Sequence, residues 1–224
     1  MKAMILAAGR GERMHPLTLS KPKPLLCAAG KPLIEYCIEN LVKAGFSEIV
    51  INLSHLGHLI KNYCQNGERW GAQIQYSDEG PTPLETAGGI AYALHLLGPE
   101  PFLVINADIF CNYPLETLHH KSFDLAHLVM IDNPPHHPEG DFAISEGLLS
   151  HSGSEKLTFS GIGVYHPDLF IGIKPEPLKM RPILNQAIDN QRMSGELFQG
   201  LWMDIGTPER LEEIDQYLQQ KTLG

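Results

Sequence analysis

Four short and almost wholly apolar runs, separated by segments of helical periodicity and punctuated by glycine turns, predict an α/β fold. The expected architecture is a doubly wound, Rossmann-like and mostly parallel sheet with a small mixed lobe. Ala3 to Ala8, Ile49 to Leu53, Phe102 to Ala107 and Leu125 to Ile131 hold at most one polar residue each, the signature of strands buried on both faces. Between them, the stretch from Pro32 to Ala44 opens with a proline suited to a first helical turn. It places Leu33, Ile34, Cys37, Ile38, Leu41 and Val42 on one face and stops at Gly45. Leu56 to Tyr63 and Thr86 to Leu97 are expected to be helices by the same periodicity.

The character changes near Asp132. Pro134, Pro135, His136, His137, Pro138 and Gly140 read as an irregular loop, with His136 and His137 on its surface, before a strand-like pattern at Phe142 to Leu149 that suggests a hairpin. Ile162 to Tyr165 is expected to be a further strand, Leu178 to Gln191 a helix with Pro182 near its start, and Pro208 to Gln220 a closing helix capped by Thr207. At 224 residues the chain is long enough to bury a full core as one domain without disulfides or a structural metal.

A formal net charge of −9 disfavours nucleic acid and anionic membranes as partners, because both call for a basic face. No run approaches the roughly 20 apolar residues of a membrane span, and the apolar run at Ala3 to Ala8 is too short for a secretory leader. Cys27, Cys37, Cys64 and Cys111 lack C-x-x-C spacing, which favours reduced thiols in a soluble, cytoplasmic protein.

Doubly wound sheets bind ligands at the carboxyl ends of their strands, and two polar motifs fall on that edge. The first strand runs into Gly9-Arg10-Gly11-Glu12-Arg13, followed by Lys21-Pro22-Lys23-Pro24. Glycines that let backbone N–H groups approach an anion, next to arginine and lysine, read as a triphosphate loop. Spacing excludes two familiar phosphate loops: Met14 stands where a dinucleotide fingerprint needs glycine, and no Gly-Lys-Ser/Thr is present. Asp108 follows the third apolar run, and a carboxylate at a buried strand end calls for a partner. Asp204 lies at a second strand-to-helix junction, and two carboxylates suit magnesium, which completes its shell with waters and phosphate oxygens.

Read together, Leu6-Ala-Ala-Gly-x-Gly-x-Arg13, Pro22-Lys-Pro-Leu25, Leu84-Glu-Thr-Ala-Gly-Gly89, Asn106-Ala-Asp108 and Trp202-Met-Asp-Ile-Gly-Thr-Pro208 resemble the sugar-1-phosphate nucleotidyltransferases across the whole chain. The resemblance implies one nucleotidyltransferase domain, with residues 1–131 as nucleotide-binding core and 132–224 as sugar-binding part and closing helix. It implies Mg2+ on Asp108 and Asp204, Arg13 on the β- and γ-phosphates, and Lys23, rather than its neighbour Lys21, on the α-phosphate or incoming sugar phosphate. The nucleotide site it implies comprises Leu6, Ala8, Gly9, Gly11, Glu12, Arg13, Lys23, Glu79, Gly88 and Asn106, with a carboxylate at Glu79 where relatives often carry an amide. Asn106, Asp141 and Gly161 fall at sugar-binding positions.

The short chain and the run Asp132-Asn-Pro-Pro-His-His137 are most similar to members that join UTP to N-acetylmuramate 1-phosphate in peptidoglycan recycling, acting as a monomer or small homo-oligomer. Other members take mannose 1-phosphate with GTP, glucose 1-phosphate with UTP or dTTP, or phosphocholine with CTP, and the motifs do not separate these. A non-catalytic nucleotide-binding subunit would be expected to lack a metal or phosphate ligand, and none is missing.

Overall fold

The computed structural model describes residues 1–153 and 155–222. Strand β1 (Ala3–Leu6) leads through a loop carrying the small hairpin β2 (Cys27–Ala28) and β3 (Lys31–Pro32) into helix α1 (Leu33–Lys43) and strand β4 (Glu48–Leu53). A second crossover, α2 (Gly57–Cys64), reaches β5 (Gln73–Asp78), and a third, α3 (Glu85–Leu97), returns the chain to β6 (Phe102–Asn106). There follow β7 (Ile109–Cys111), β8 (Ala126–Ile131), the hairpin β9 (Ala143–Ser145) and β10 (Leu148–Ser150), and the long strand β11 (Thr158–Tyr165). Helix α4 (Met180–Asp189), strands β12 (Met193–Phe198) and β13 (Trp202–Asp204), and helix α5 (Pro208–Thr222) complete the chain.

Nine strands form one sheet in the order β5-β4-β1-β6-β11-β8-β12-β10-β9, with β11 and β10 antiparallel to the other seven. The chain moves outward from β1 to β4 and β5, then crosses back to β6 on the other side of β1. The topological switch point therefore lies between β1 and β6, where such sheets open a crevice. The mixed lobe expected after residue 131 takes the form of β11 and the edge hairpin, both continuous with the main sheet. A separate ribbon pairs β13 with β7 and brings Asp204 opposite Ile109.

Burial on both faces explains the apolar strands. Ile5, Ile51 and Leu103 point toward α1 and α2, packing with Ile34, Ile38, Leu41 and Ile60. Met4, Val50 and Val104 point the other way, toward α3 and α4, with Ile90, Leu97, Leu184 and Ile188. A smaller cluster of Met14, Leu26, Leu33, Ile205 and Ile214 fastens the glycine loop and α5 to each other. Cys37, Cys64 and Cys111 lie in the first core, where burial raises their thiol pKa values; Cys64 is pushed up to about 12 and Cys111 to about 11. Among the described residues no helix is long and apolar enough to cross a membrane.

One polar network interrupts the core. His127 of β8 is 4% exposed; its Nδ1 meets Ser194 Oγ at 2.8 Å, while its Nε2 lies 3.6 Å from Glu196 and has no hydrogen-bond partner among the described residues. Glu196 in turn accepts hydrogen bonds from Tyr113 and Lys121. Burial holds the His127 pKa below its ordinary 6.5, which outweighs the pull of Glu196. As pH falls through that ordinary value the unfolded chain takes up a proton that the folded one refuses, so this histidine subtracts stability on the acid side. Urea unfolding between about pH 7.5 and 5.5 is expected to show a loss of stability that His127→Gln reduces; an unchanged slope would contradict the assignment.

Candidate active site

At the switch point the carboxyl edge opens into a cleft of about 800 Å³, lined on one side by Leu6 through Met14 and on the other by Glu79, Glu85, Asn106 and Asp108. The glycine loop is shaped by a left-handed residue: Gly11 has φ +65°, and a side chain there would lie 3.0 Å from Thr18 and 3.1 Å from Lys23. The Thr18 hydroxyl donates to the Gly11 carbonyl at 2.8 Å, so the loop folds back on the segment that carries Lys23.

Lys23 begins a single 3-10 turn after the extended Pro22 and is 9% exposed. Its ammonium pairs with Asp108 in the turn between β6 and β7, which satisfies a cation that could not otherwise be buried. Lys21 is exposed, its ammonium 3.6 Å from the Cys27 sulfur.

The ribbon carries the second carboxylate to the first, because the Ile205 N–H donates to the Asp108 carbonyl at 2.8 Å. Asp204 does not itself line the cleft, but Gly206 does, and Gly206 marks a point of convergence. A methyl group built there would lie 2.6 Å from Arg210 Nη2, 3.1 Å from Asp204 Oδ2 and 3.2 Å from Arg13 Nη2. Among the described residues no three His, Cys, Asp or Glu side chains cluster tightly enough to hold a metal by themselves. A cation held by Asp108 and Asp204 would have to take its remaining ligands from phosphate and water, as magnesium does.

Opposite the loop, a brace crosses the base of the cleft. The Ala7 N–H donates to Asn52 Oδ1 at 2.7 Å, Asn52 Nδ2 donates to Glu79 Oε1 at 2.7 Å, and the Leu84 N–H donates to Glu79 Oε2 at 2.7 Å. Two donors aimed at two oxygens require a carboxylate. An amide at position 79 would set its own NH2 against one of them, and Asn52 cannot turn round without losing Ala7. Burial raises the Glu79 pKa, an effect that the hydrogen bonds from Leu84 and Asn52 oppose without cancelling. The chain then enters α3 through Glu85, a cleft residue at φ +58°, a left-handed conformation uncommon outside glycine.

Gly88, expected at the nucleotide, faces elsewhere: a side chain there would strike the Glu176 carbonyl, and its N–H and that of Ala87 donate to the Leu178 carbonyl. Its small size lets α3 pack against the segment whose Pro177 lines the cleft. Gly161 sits at the bulged start of β11, where a Cβ would come 2.7 Å from Asn106 Nδ2. Asp141 is engaged within the protein, accepting from the Phe159 N–H at 2.9 Å and from Arg181 at 2.6 Å. His137 lies 3.5 Å from the same carboxylate, and His136, expected on the surface, is half-exposed but reaches Asp204 at 3.2 Å.

Two further residues of the site carry a signal in the sequence. Asn52 is a 3% exposed amide within an apolar strand run, and a buried polar side chain in that setting has to be hydrogen-bonded to something particular. Arg210 is a cation in the first turn of a helix, against the helix dipole, which signals an anion close by.

Residues 2–148 match the model of the family described as nucleotidyl transferase. The chain is 47% identical to N-acetylmuramate alpha-1-phosphate uridylyltransferase of Neisseria meningitidis serogroup B, over 95% of this chain and 96% of that protein. It is 32% identical to mannose-1-phosphate guanyltransferase beta-A of Xenopus laevis over 93% of its own length, and spans 62% of that relative. In fold it is similar to HddC from Yersinia pseudotuberculosis, solved in complex with GMP-PN, with a TM-score of 0.80, 20% identity, and coverage of 97% of this chain and 99% of that one. A family model matched over most of the chain, and a relative nearly half identical from end to end, establish that the protein is an enzyme belonging to the sugar-1-phosphate nucleotidyltransferase family.

Proposed function

We propose that the protein transfers a uridylyl group from UTP to N-acetylmuramate 1-phosphate, releasing pyrophosphate, as a magnesium-dependent, cytoplasmic, single-domain enzyme of cell-wall sugar recycling. The observation that carries this reading is the convergence of Arg13 and Lys23 with Asp108 and Asp204 at one sheet edge, in a chain 47% identical to a relative of that name.

In this reaction a sugar phosphate oxygen attacks the α-phosphorus of UTP, and the bond from that phosphorus to the β-phosphate oxygen breaks. Two anions must meet, so the protein's work is neutralisation and alignment rather than covalent catalysis. Gly9 and Gly11 line the cleft, where backbone N–H groups suit a triphosphate, with Glu12 at the loop's end and Arg13 for the departing pyrophosphate. Lys23 serves the α-phosphate, trading Asp108 for phosphate oxygens. Asp108 and Asp204 would hold the magnesium ion, which when bound neutralises phosphate charge and fixes the in-line geometry.

For the base, Leu6, Ala8 and Gly9 form one wall and Glu79 the polar end. With its two bonded donors pinned, Glu79 presents acceptor lone pairs to the cleft. These suit the ring N–H of uracil and repel the lone pair that cytosine carries at the same ring position. Gly88 supports this wall from behind through its packing on residues 176–178. At the sugar end, Asn106 and Gly161 adjoin each other, and Asp141 braces β11 beneath them.

The direct test is magnesium-dependent pyrophosphate release with UTP, GTP, CTP and dTTP crossed against N-acetylmuramate, N-acetylglucosamine, glucose and mannose 1-phosphates and phosphocholine. UTP with N-acetylmuramate 1-phosphate is expected to dominate, and another winning pair would overturn the substrate assignment. Asp108→Asn, which leaves Lys23 an acceptor oxygen, is expected to lower kcat by about 10²-fold or more, and near-normal turnover would remove Asp108 from the metal site. Glu79→Gln is expected to raise KM for UTP and to cost about 1–3 kcal/mol of stability in urea, because one donor of the brace is stranded; unchanged stability would show that the brace adapts to an amide.

A further inference from the structure

Arg210 stands where a helix disfavours positive charge, at the third residue of α5 and within its first turn, where its own N–H is capped by the Thr207 hydroxyl at 3.4 Å. Asp204 holds it there: Arg210 Nη1 donates to Asp204 Oδ1, and each side chain is only 19% exposed. His136, from the loop after β8, completes a triangle, with Nε2 3.0 Å from Arg210 Nη1 and 3.2 Å from Asp204 Oδ1. Because a guanidinium only donates, a hydrogen bond from Arg210 to this nitrogen requires it to be unprotonated, with no proton left for Asp204, so the carboxylate is held by Arg210. Asp108 is treated in the same way by Lys23. Each carboxylate assigned to the metal is thus already neutralised by one of the chain's own cations.

We propose that Arg210 is a resident counter-cation of Asp204, one that must release the carboxylate before a divalent ion can take it, and that it thereby sets the metal affinity of the nucleotide-free enzyme. The inference rests on the reading of Asp204 as a metal ligand. Arg210 Nη2 already lies beside Gly206, a residue of the cleft wall, and Arg13 Nη2 approaches the same point. A guanidinium released from Asp204 there needs only a short displacement to meet phosphate oxygens beside Arg13. Metal and nucleotide binding are therefore coupled. A triphosphate offers Lys23 and Arg210 other anions and frees both carboxylates together, whereas the enzyme without nucleotide holds a divalent ion weakly.

The test is Mn2+ binding followed by electron paramagnetic resonance on the nucleotide-free full chain. Arg210→Ala is expected to bind Mn2+ about three- to tenfold more tightly than the unchanged protein, through loss of the competing ion pair. Arg210→Lys is expected to stay within about twofold, because the charge remains. Arg210→Gln keeps the length of the side chain, is expected to tighten binding by a smaller factor, and carries the test if the alanine variant does not fold. Asp204→Asn is expected to bind more weakly than all of them. If Asp204→Asn weakens binding while neither neutral Arg210 variant strengthens it, the counter-cation role is overturned and the metal reading stands. If Asp204→Asn binds Mn2+ as tightly as the unchanged protein, the metal reading fails and the role of Arg210 fails with it.

Discussion

The ion pair between Lys23 and Asp108 is the contact around which the carboxyl edge of the sheet is organised. It joins the loop that follows β1 to the turn that follows β6, across the switch point where these adjacent parallel strands send their connections in opposite directions. A lysine at 9% exposure is tolerable only with a partner held close, so the pair draws the glycine loop down onto the sheet and fixes the depth of the cleft. Through the Ile205 N–H on the Asp108 carbonyl, the same turn anchors the ribbon that carries Asp204. Cations and carboxylates are interleaved at this edge, with Arg13 and Arg210 beside Asp204 and Lys23 on Asp108. That pattern keeps several cations at the cleft of an acidic protein with a net charge of −9 without building a basic surface.

A second polar line runs parallel to the first. Ala7, Asn52, Glu79 and Leu84 connect β1, β4, the end of β5 and the entrance to α3 by three hydrogen bonds of equal length. Its components lie at the ends of three neighbouring parallel strands, so it sets their relative height and the position of the left-handed Glu85 that starts α3. The glycine-loop end of the cleft is thus built from ion pairs, and the opposite end from neutral donors locked onto one carboxylate. The first arrangement suits groups that have to move when a charged substrate enters, and the second suits recognition of a flat ring by fixed acceptors.

Much of this was legible in the residues because burial leaves an unmistakable trace. The strands at 3–6, 48–53, 102–106 and 126–131 are apolar on both faces, and α1 repeats its apolar positions with helical spacing. Asp108 could be singled out because a carboxylate at the end of such a strand needs a partner. Strand β5 was less visible: as an edge strand it buries only part of its surface, and Gln73, Gln75 and Asp78 dilute its apolar content. β12 was hidden for a related reason, since Ser194, Gly195 and Glu196 reflect the polar network around His127 rather than the strand's position in the sheet. The partnership of Arg210 with Asp204 and His136 joins three chain segments, and the histidine lies 74 residues from the arginine, so local pattern could not reveal it. The internal engagement of Asp141 by Arg181 and Phe159 is invisible for the same reason.

The central claim is that the anion-binding edge works by exchange of ionic partners. It is tested most directly by a crystal structure of the protein with magnesium and a UTP analogue whose α–β bridge cannot be cleaved. The account requires Lys23 to have left Asp108 for an α-phosphate oxygen, with both carboxylates on the metal and Arg13 at the terminal phosphates. A complex in which the analogue is bound while Lys23 remains on Asp108 and the metal lies away from both carboxylates would contradict it.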